Sequence, residues 1–371
     1  MDENACGGMS ENTCGKIDIE KYGGKMTAAY LPGDGTVELK TVDIPKPGHG
    51  EVLIKMMAAT VCGSDIKGIY HNKRELRPES FRYNIAGHEP CGVVAQCGPG
   101  MRRFKVGDRV AVYHISGCGI CFECRRGYMI NCSSPIRKAY GWDRNGGMAD
   151  FLLADEKDLV PLPDNLSYID GAMIACGFGT VYEGLQNLDV SGRDVVLVTG
   201  LGPVGLAALM VAKALGARKT IGVDVVKERC DIAVQKGVAD VALLSGPDAL
   251  GKIMELTGGR GPDKSLDCSG SPEGRFLAIK AAGYHGRTAL IGEGSTVQFA
   301  PSSDLMHEQK SIYGSWVTNI WRMEELARLV SDWGIHPDSL CTHKFPLEKA
   351  PEAFELMNGG KCGKVAVVFD E

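Results

Sequence analysis

The pattern of apolar and polar positions divides the chain into two parts. From about residue 26 to 165, short apolar runs alternate with turn residues, as in 51–59, 91–98 and 108–114, which predicts a mostly β domain. From about residue 193, strand-like apolar runs are separated mostly by helix-length segments. These predicted strands are 195–200, 220–224, 241–244, 265–270, 288–292 and 311–315. Alternating strands and helices indicate a parallel, doubly wound sheet, so we expect an α/β fold.

The two ends of the chain differ from these parts. Residues 1–25 are rich in glycine and lack an apolar core segment, which predicts a flexible leader without a secretory signal. Cys6 and Cys14 within that leader have no metal-type spacing. The tail, 347–371, predicts one helix and one strand, which we expect to return to the first domain.

Composition and charge exclude several function classes. The 371 residues, 44% of them hydrophobic, are enough for two domains with sizeable cores. The net charge of -5 argues against non-specific nucleic-acid binding. Residues 195–212 carry no charge, but glycines and Pro203 interrupt them, which favours a buried strand, turn and helix over a membrane span. The 14 cysteines are partly clustered in a long chain, which favours metal binding in a reducing compartment. We therefore expect a cytoplasmic protein.

Four cysteines in one short stretch predict a structural zinc site. Gaps of two, two and seven residues separate Cys118, Cys121, Cys124 and Cys132, and two-residue gaps let a turn aim successive thiolates at one point. An iron–sulfur site is disfavoured because the fourth cysteine of a ferredoxin-type run follows after three residues and precedes proline. A metal-free loop and a zinc-ribbon nucleic-acid module are two further interpretations, and the acidic charge balance argues against the second.

A glycine-rich turn predicts a dinucleotide site. Gly200, Gly202 and Gly205 form G-x-G-x-x-G between a predicted strand and a predicted helix, and Asp224 ends the next strand. Asp224 is placed to bind the adenosine ribose, and no cation at 225 or 226 would neutralise a 2′-phosphate, so we expect NAD rather than NADP. The competing interpretation is a glycine-rich turn beside a surface acid. The remaining cofactor-binding candidates are Pro203, Val204 and Arg229.

Three further fragments each place a potential metal ligand beside glycine. These ligands are Cys62, His88 and Cys176. Their wide separation does not prove that they converge, because a buried free cysteine or a core histidine explains each one singly.

Taken together, these fragments resemble the zinc-dependent alcohol and polyol dehydrogenases of the medium-chain dehydrogenase/reductase superfamily. The resemblance extends from about residue 26 to the end. It rests on the motifs CGSD, GHE-x2-G-x5-G, FKVGDRV, the four-cysteine lobe, CGFGT, GLGPVG and Asp224. It implies a GroES-like catalytic domain at 26–180 and 318–371, with a structural zinc lobe at 114–134. It also implies a Rossmann NAD-binding domain at 181–317.

The resemblance also implies a second, catalytic zinc held by Cys62, His88 and Cys176, with a fourth position open to water or substrate. Asp65 would orient the imidazole of His88. Glu89 would approach the zinc during ligand exchange or act only through its charge. A polyol-dehydrogenase subset carries a carboxylate where Cys176 stands, so in this respect the chain is similar to the simple alcohol dehydrogenases.

The family mechanism assigns proton transfer to Ser64, while zinc lowers the pKa of the substrate hydroxyl and the nicotinamide receives a hydride. One departure concerns Lys67, which stands where many relatives carry a proton-relaying histidine. Either the site lowers the pKa of Lys67, or this lysine binds a cofactor or substrate oxygen. His71 is a second candidate for the relay.

Substrate and assembly rest on analogy alone. The loop containing Lys73, Arg74, Arg77 and Arg82 is either a solvated face or a recognition site for an anionic or hydroxylated substrate. Trp142 and Trp316 are expected near the cleft or in plain packing. The short connection between Cys132 and Cys176 resembles that of tetrameric relatives, many of which act on polyols. We expect a secondary alcohol or polyol as substrate and a homotetramer rather than a dimer. The competing functions are a carbonyl reductase, a non-catalytic zinc and NAD sensor and a zinc-independent quinone reductase.

Overall fold

The computed structural model describes residues 18–72 and 83–370. Cys6, Cys14 and the basic side chains of the predicted recognition loop lie outside these residues.

The strands, in chain order, are β1 Lys25–Tyr30, β2 Glu38–Asp43, β3 Glu51–Val61, β4 Pro90–Cys97, β5 Arg109–Val112, β6 Ile115–Ser116, β7 Lys138–Ala139, β8 Phe151–Asp155, β9 Leu159–Pro161, β10 Val195–Thr199, β11 Lys219–Asp224, β12 Val241–Leu244, β13 Lys264–Asp267, β14 Arg287–Leu290, β15 Ser311–Gly314, β16 Cys341–Pro346 and β17 Lys364–Val368.

The helices alternate with the later strands. In chain order they are α1 Gly63–Asp65, α2 Phe122–Arg125, α3 Tyr168–Met173, α4 Gly179–Leu188, α5 Pro203–Ala214, α6 Lys227–Gln235, α7 Ala249–Leu256, α8 Pro272–Ala281, α9 Ile320–Trp333 and α10 Ala350–Gly359. Two π-helical turns, Ile66–Tyr70 and Ile174–Phe178, follow α1 and α3 directly. Within the described residues, no helix combines the length and apolar character that crossing a membrane requires.

The second half of the chain forms the predicted parallel sheet. Its strand order is β12-β11-β10-β13-β14-β15, and every neighbouring pair is parallel. All five residues of β10 are buried, because helices cover both faces of a doubly wound sheet. The order reverses between β10 and β13, which is the point where such sheets bind ligands. The structure therefore confirms the α/β class.

The first half forms a mixed sheet with the order β16-β17-β3-β4-β5-β9, to which β8 adds by pairing with β3. Its core includes the buried side chains of Leu53, Ile54 and Phe151. The tail strand β17 runs antiparallel to β3, with Val365 opposite Val61, so the tail lies in the first sheet as expected. This crossing brings residues near position 364 to the end of β3, where Cys62 follows.

Residues 18–25 differ from the loose leader expected there. Glu20–Tyr22 forms a helical turn, and the Tyr22 ring packs edge-on against Phe151 with 4.9 Å between ring centroids. The ammonium group of Lys55 lies 5.4 Å from the centre of the Tyr22 ring. An aromatic anchor on the first sheet thus orders this segment, which its glycine content alone did not indicate.

Candidate active site and metal centres

Cys62 and His88 are oriented by one buried carboxylate. Cys62 follows β3 and precedes α1, where the Asp65 side chain accepts a hydrogen bond from the Cys62 backbone N–H at 3.0 Å. The other Asp65 oxygen accepts from Nδ1 of His88 at 2.8 Å. Burial alone would lower the pKa of His88, but the Asp65 carboxylate holds that pKa well above its ordinary value. With Nδ1 engaged, Nε2 of His88 is the nitrogen left for a metal ion.

Three distant parts of the chain converge at this point. Donor atoms of Cys62, His88, Glu89 and Cys176 all lie within 4.8 Å of one another. Cys176 comes from the π-helical turn Ile174–Phe178, and His88 and Glu89 come from the segment that precedes β4. A hydrogen bond with Cys176 lowers the pKa of the Cys62 thiol well below its ordinary value. Two sulfur donors and one imidazole nitrogen form a donor set that fits zinc.

Glu89 is buried beside this cluster and bonded on one side only. Its Oε2 accepts hydrogen bonds from the Thr60 hydroxyl and from the Lys364 ammonium group. Its Oε1 has no hydrogen-bond partner among the described residues. Burial raises the pKa of Glu89 to about 7, against the opposing effect of Lys364. An unpartnered carboxylate oxygen next to three metal-type ligands fits a position close to a cation.

Lys364 is a site residue that the sequence analysis missed. It begins β17 and is buried, although burial by itself disfavours the charged form. The Glu89 carboxylate outweighs that effect and raises the pKa of Lys364 above its ordinary value. A lysine at the start of an otherwise apolar strand, KVAVV, was the available sequence signal. Only the pairing of β17 with β3 shows which carboxylate it meets.

The predicted proton-transfer residues lie on the segment that follows Cys62. Ser64 is half-buried within α1, and Lys67 is exposed about one turn further along. His71 donates a hydrogen bond from Nε2 to Oδ1 of Asn358 at 2.7 Å, so the structure engages its ring with the end of α10. Lys67 is thus open to solvent, while His71 contacts a different element.

Two aromatic rings pack beside His88. The Trp142 ring lies against Gly68 and has its centroid 6.3 Å from that of His88. His114, another residue that the sequence analysis missed, has its ring centroid 5.2 Å from that of His88. It donates from Nδ1 to the carbonyl of Ala175 at 3.0 Å, and burial lowers its pKa to about 3. His114 is therefore neutral near pH 7.

Trp316, the other tryptophan expected near the cleft, is 56% exposed. It lines an open cavity of about 600 Å³ together with Tyr128, Arg275 and the end of β14. The cavity is a separate feature whose lining includes none of the three predicted zinc ligands.

The four cysteines of the lobe form the second cluster. The sulfur atoms of Cys118, Cys121, Cys124 and Cys132 all lie within 4.8 Å of one another. Backbone N–H groups point at these sulfurs: Cys121 donates to Cys118 at 3.4 Å, and Cys124 donates to Cys121 at 3.5 Å. Bonds from the backbone of Ile120 and Cys121 lower the pKa of Cys118 to about 6. The cysteines that the structure describes are free of disulfides, so the four sulfurs are available as a closed tetrahedral donor set.

The glycine-rich turn joins β10 to α5 with the geometry of a dinucleotide site. Gly200 has a φ of 86°, a conformation that favours glycine, and a Cβ at Gly205 would collide with the Gly200 carbonyl oxygen. The N-terminus of α5 begins at Pro203 and offers free backbone N–H groups to an anion. Pro203 and Val204 line a narrow cleft whose other wall includes Phe178 and Lys364. The turn therefore shares a cleft with Lys364, which bonds Glu89 of the cluster.

Asp224 and Arg229 lie next to the glycine-rich turn, at the end of β11 and on α6. The Asp224 carboxylate accepts hydrogen bonds from the backbone of Leu201 at 2.6 Å and Val226 at 2.8 Å. Nη1 of Arg229 lies 3.6 Å from Oδ2 of Asp224. A buried acid at the end of β11, tied to the glycine turn, is the arrangement that recognises a ribose in this fold. These residues thus fit a dinucleotide.

Comparison with known proteins agrees with this geometry. Residues 48–164 match the family described as alcohol dehydrogenase GroES-like domain, and residues 203–332 match the family described as zinc-binding dehydrogenase. The chain is 52% identical over 351 residues to an uncharacterized zinc-type alcohol dehydrogenase-like protein, YphC, of Escherichia coli (strain K12), covering 93% of this chain and 99% of that protein.

More distant relatives have more specific names. An L-threonine 3-dehydrogenase of Pyrococcus horikoshii is 34% identical, over 91% of this chain and 96% of that enzyme. A crystal structure named as a short chain alcohol dehydrogenase (rspB) from E. coli CFT073, complexed with NADH, superposes with a TM-score of 0.82 at 26% identity, covering 93% of this chain and 100% of that one. The chain belongs to the zinc-dependent alcohol dehydrogenase family of the medium-chain dehydrogenase/reductase superfamily. It is an oxidoreductase whose family uses zinc and a nicotinamide cofactor, and its fold combines a GroES-like and a Rossmann part.

Proposed function

We propose that this protein is a dehydrogenase that uses NAD and zinc to oxidise a secondary alcohol or polyol reversibly to the ketone. The observation that carries the proposal is the convergence of the donor atoms of Cys62, His88 and Cys176. Ser64 follows Cys62 by two residues, and the dinucleotide turn lines a cleft together with Phe178 and Lys364. Three ligands on separate elements leave a fourth position for a substrate oxygen. The four-cysteine lobe would hold a second, structural zinc. We also propose the division of the chain at about residues 180 and 318.

The chain's own residues have distinct tasks in this reaction. When bound, a zinc ion would act as a Lewis acid on the substrate oxygen. Asp65 holds the His88 ring in the orientation needed for binding. The Ser64 hydroxyl accepts the proton that leaves the substrate hydroxyl and passes it outward. Lys364 keeps Glu89 in place at the edge of the cluster and neutralises part of its charge.

We propose that Lys67 contacts a cofactor or substrate oxygen. It has no hydrogen-bond or ion-pair partner among the described residues, and it follows Ser64 on the same helical segment. Replacing Lys67 by alanine should then raise the KM for cofactor or substrate. His71→Ala should leave proton transfer at Ser64 intact, because His71 is bonded to Asn358. A drop in kcat with an altered pH profile in His71→Ala would instead assign the relay to His71.

NAD is proposed over NADP because of the charge at the ribose end. A 2′-phosphate would approach the buried Asp224 carboxylate, and the adjoining Val225 and Val226 supply no cation. Arg229 is the one cation beside Asp224 in the described part of the chain, and its Nε is already bonded to a carbonyl. Turnover with NAD should exceed turnover with NADP by at least about tenfold, and equal rates would contradict this assignment.

The substrate class is the least constrained part of the proposal. The name of the 34% identical relative points to a secondary hydroxyl group, which agrees with a secondary alcohol or polyol. We propose that the active form is a homo-oligomer, a tetramer rather than a dimer, with no nucleic-acid or membrane partner. Sedimentation velocity with the purified protein tests the assembly directly.

The test of the function is NADH formation from NAD with a panel of secondary alcohols, polyols, hydroxylated acids and β-hydroxy amino acids. Ser64→Ala should lower kcat by about 10²-fold or more while leaving NADH binding unchanged, because general acid–base transfer contributes about 10²–10⁴-fold. Ser64→Thr is the matched control, since it keeps a hydroxyl at this position. Full activity of Ser64→Ala would remove Ser64 from the mechanism. A panel without any turnover, from protein with both sites filled, would remove the dehydrogenase proposal.

A further inference from the structure

One short segment touches the catalytic segment, the cofactor site and the metal site in turn. This connector, residues 358–364, runs from the last turn of α10 to the first residue of β17. Its sequence is NGGKCGK. Asn358 bonds His71, Gly360 bonds Arg229, and Lys364 bonds Glu89. Neither the zinc ligands nor the glycine turn account for the first two of these contacts.

The first contact fixes the far end of the catalytic segment. His71 is the capping residue after the π-helical turn that continues α1, so it is joined by continuous helical turns to Cys62, Ser64 and Lys67. Its backbone N–H bonds the Ile66 carbonyl at 3.3 Å, and its Nε2–H donates to Asn358 at 2.7 Å. The C-terminus of α10 thus contacts the far end of this stretch.

The second contact crosses from the first sheet's part of the chain to the second. Arg229 lies on α6, whereas Gly360 caps the C-terminus of α10, whose Ala350 and Phe354 belong to the core of the first sheet. Nε of Arg229 donates to the Gly360 carbonyl at 2.9 Å, while its Nη1 lies 3.6 Å from Asp224. The same guanidinium therefore touches the acid of the dinucleotide site and the end of α10.

We propose that Asn358 and Gly360 are positioning residues that couple cofactor binding to the catalytic segment, through Arg229 on one side and His71 on the other. The inference rests on the proposed use of a dinucleotide at Asp224. A cofactor that engages Asp224 and Arg229 favours the arrangement in which Gly360 is bonded, and this arrangement seats Asn358 on His71. Coupling is reciprocal: the factor by which bound cofactor strengthens the contact of Asn358 with His71 is also the factor by which this contact strengthens cofactor binding. Loosening Asn358 from His71 must therefore weaken cofactor binding.

The glycines at 359 and 360 supply a matched pair of variants. Gly360 has a φ of 69°, and a Cβ there would lie 3.2 Å from Nη2 of Arg229. Alanine at 360 would be strained and would crowd the guanidinium. A Cβ at Gly359 meets no atom within 4 Å. Gly359→Ala therefore controls for a change at the end of α10 that leaves both contacts intact.

The experiment measures the Kd of NADH by fluorescence titration, together with kcat and KM. Gly360→Ala and Asn358→Ala should each weaken NADH binding by about three- to tenfold, although Asn358 is not part of the cofactor site. Gly359→Ala and Asn358→Asp, which keeps an acceptor for His71, should stay within about twofold of the wild type. At saturating NAD, kcat of Gly360→Ala should return to near the wild-type value, whereas general structural damage would lower it.

A double-mutant cycle decides whether the two contacts act together. If they are coupled, Asn358→Ala combined with Arg229→Gln weakens NADH binding by clearly less than the product of the single effects. Multiplicative effects, or an unchanged Kd in Asn358→Ala, would overturn the inference while leaving the proposed function intact. Absence of NADH binding by the wild-type protein would instead overturn the proposed function. If Asn358→Ala does not fold, His71→Ala removes the same hydrogen bond from the other side.

Discussion

The two cysteine-rich clusters of this molecule are built in opposite ways. In the lobe, all four sulfur ligands come from residues 118–132, and backbone N–H groups of the same stretch surround them. In the second cluster, called the cleft cluster below, the donor atoms come from Cys62, His88 and Cys176, and the side chains of Asp65 and Glu89 lie beside them. In the proposed function, the four thiolates of the lobe would complete the coordination of one zinc ion, whereas three ligands in the other cluster would leave a position for a reactant.

The surroundings of the clusters differ as much as their ligands do. Cys118 and Cys121 are partly exposed, and their lobe carries the exposed apolar side chains of Ile120 and Phe122. His88, Glu89 and Lys364 are buried, with their charges balanced within the cluster. The comparison teaches that a cluster from one short stretch needs only local chain geometry, while a cluster from distant positions depends on buried charges that separate parts of the chain supply.

The largest expected effect separates the two clusters by function. Cys176→Ser should lower kcat/KM by about 10³-fold or more, which is about 4 kcal/mol of lost transition-state stabilisation. The lobe should keep its metal, so metal analysis should fall from two zinc ions per chain to one. Cys341→Ser is a control, because Cys341 lies outside both clusters. Loss of both metals together would contradict the independence of the clusters.

The converse change should act on stability. Cys121→Ser should lower the midpoint of thermal unfolding by about 5–10 °C, because metal binding to a structural site contributes to folding free energy. The folded variant should retain most of its activity, since Cys121 is not part of the cleft cluster. Differential scanning fluorimetry and steady-state kinetics below the transition check both points. A large loss of activity with an unchanged melting midpoint would reverse the roles assigned to the clusters.

A change at Asp65, which bonds both Cys62 and His88, should affect the cleft cluster alone. Asp65→Asn should lower either the metal affinity of the cleft cluster or the enzymatic activity by about 10–100-fold. The amide offers one acceptor instead of two, so either the His88 ring or the Cys62 backbone loses its partner. Competition with a chelator, followed by metal analysis, measures the effect. Equal chelator sensitivity of wild type and variant would show that Asp65 does not support this site.

The smallest expected effect concerns Asp158, a buried acid beside Tyr140. Asp158 accepts a hydrogen bond from Tyr140 at 3.0 Å, and burial raises its pKa to about 7. The folded state therefore keeps a proton that the unfolded chain releases near pH 4. The stability that follows from keeping this proton is fully present below about pH 4. It is lost as pH rises through about 7, the raised pKa of Asp158.

Asp158→Asn cannot titrate, so its free energy of unfolding should vary less between pH 5 and 8 than that of the wild type. Urea unfolding at four pH values in this range measures the slope. Asp164→Asn, at a side chain that is 96% exposed, is the matched control and should follow the wild-type slope. An Asp158→Asn slope equal to that of the wild type would show that the buried carboxyl does not govern this pH dependence.

Most of the fold could be predicted from the sequence because the patterns that indicate its strands and helices are local. The alternation of apolar runs predicted the parallel sheet, and observed strands such as Val195–Thr199 and Ser311–Gly314 end within a residue of the predicted ones. The glycine turn and the four-cysteine lobe were also predicted, since each lies within one short stretch, and Asp224 was predicted because it ends the next strand of the parallel sheet. The aromatic anchor of Tyr22, by contrast, depends on a partner at Phe151 that no local pattern indicates.

The sequence by itself determined the α/β fold with a GroES-like and a Rossmann part. It also predicted the cofactor turn, the lobe and, through resemblance, the ligands of the cleft cluster. Only the tertiary structure decided that Cys62, His88 and Cys176 meet, that Lys364 faces Glu89, that His114 lies beside His88, and that Asn358 holds His71. These pairings depend on which strands lie side by side and on where the chain crosses between sheets. Such long-range choices follow from packing the whole chain, so spacing along the sequence does not reveal them.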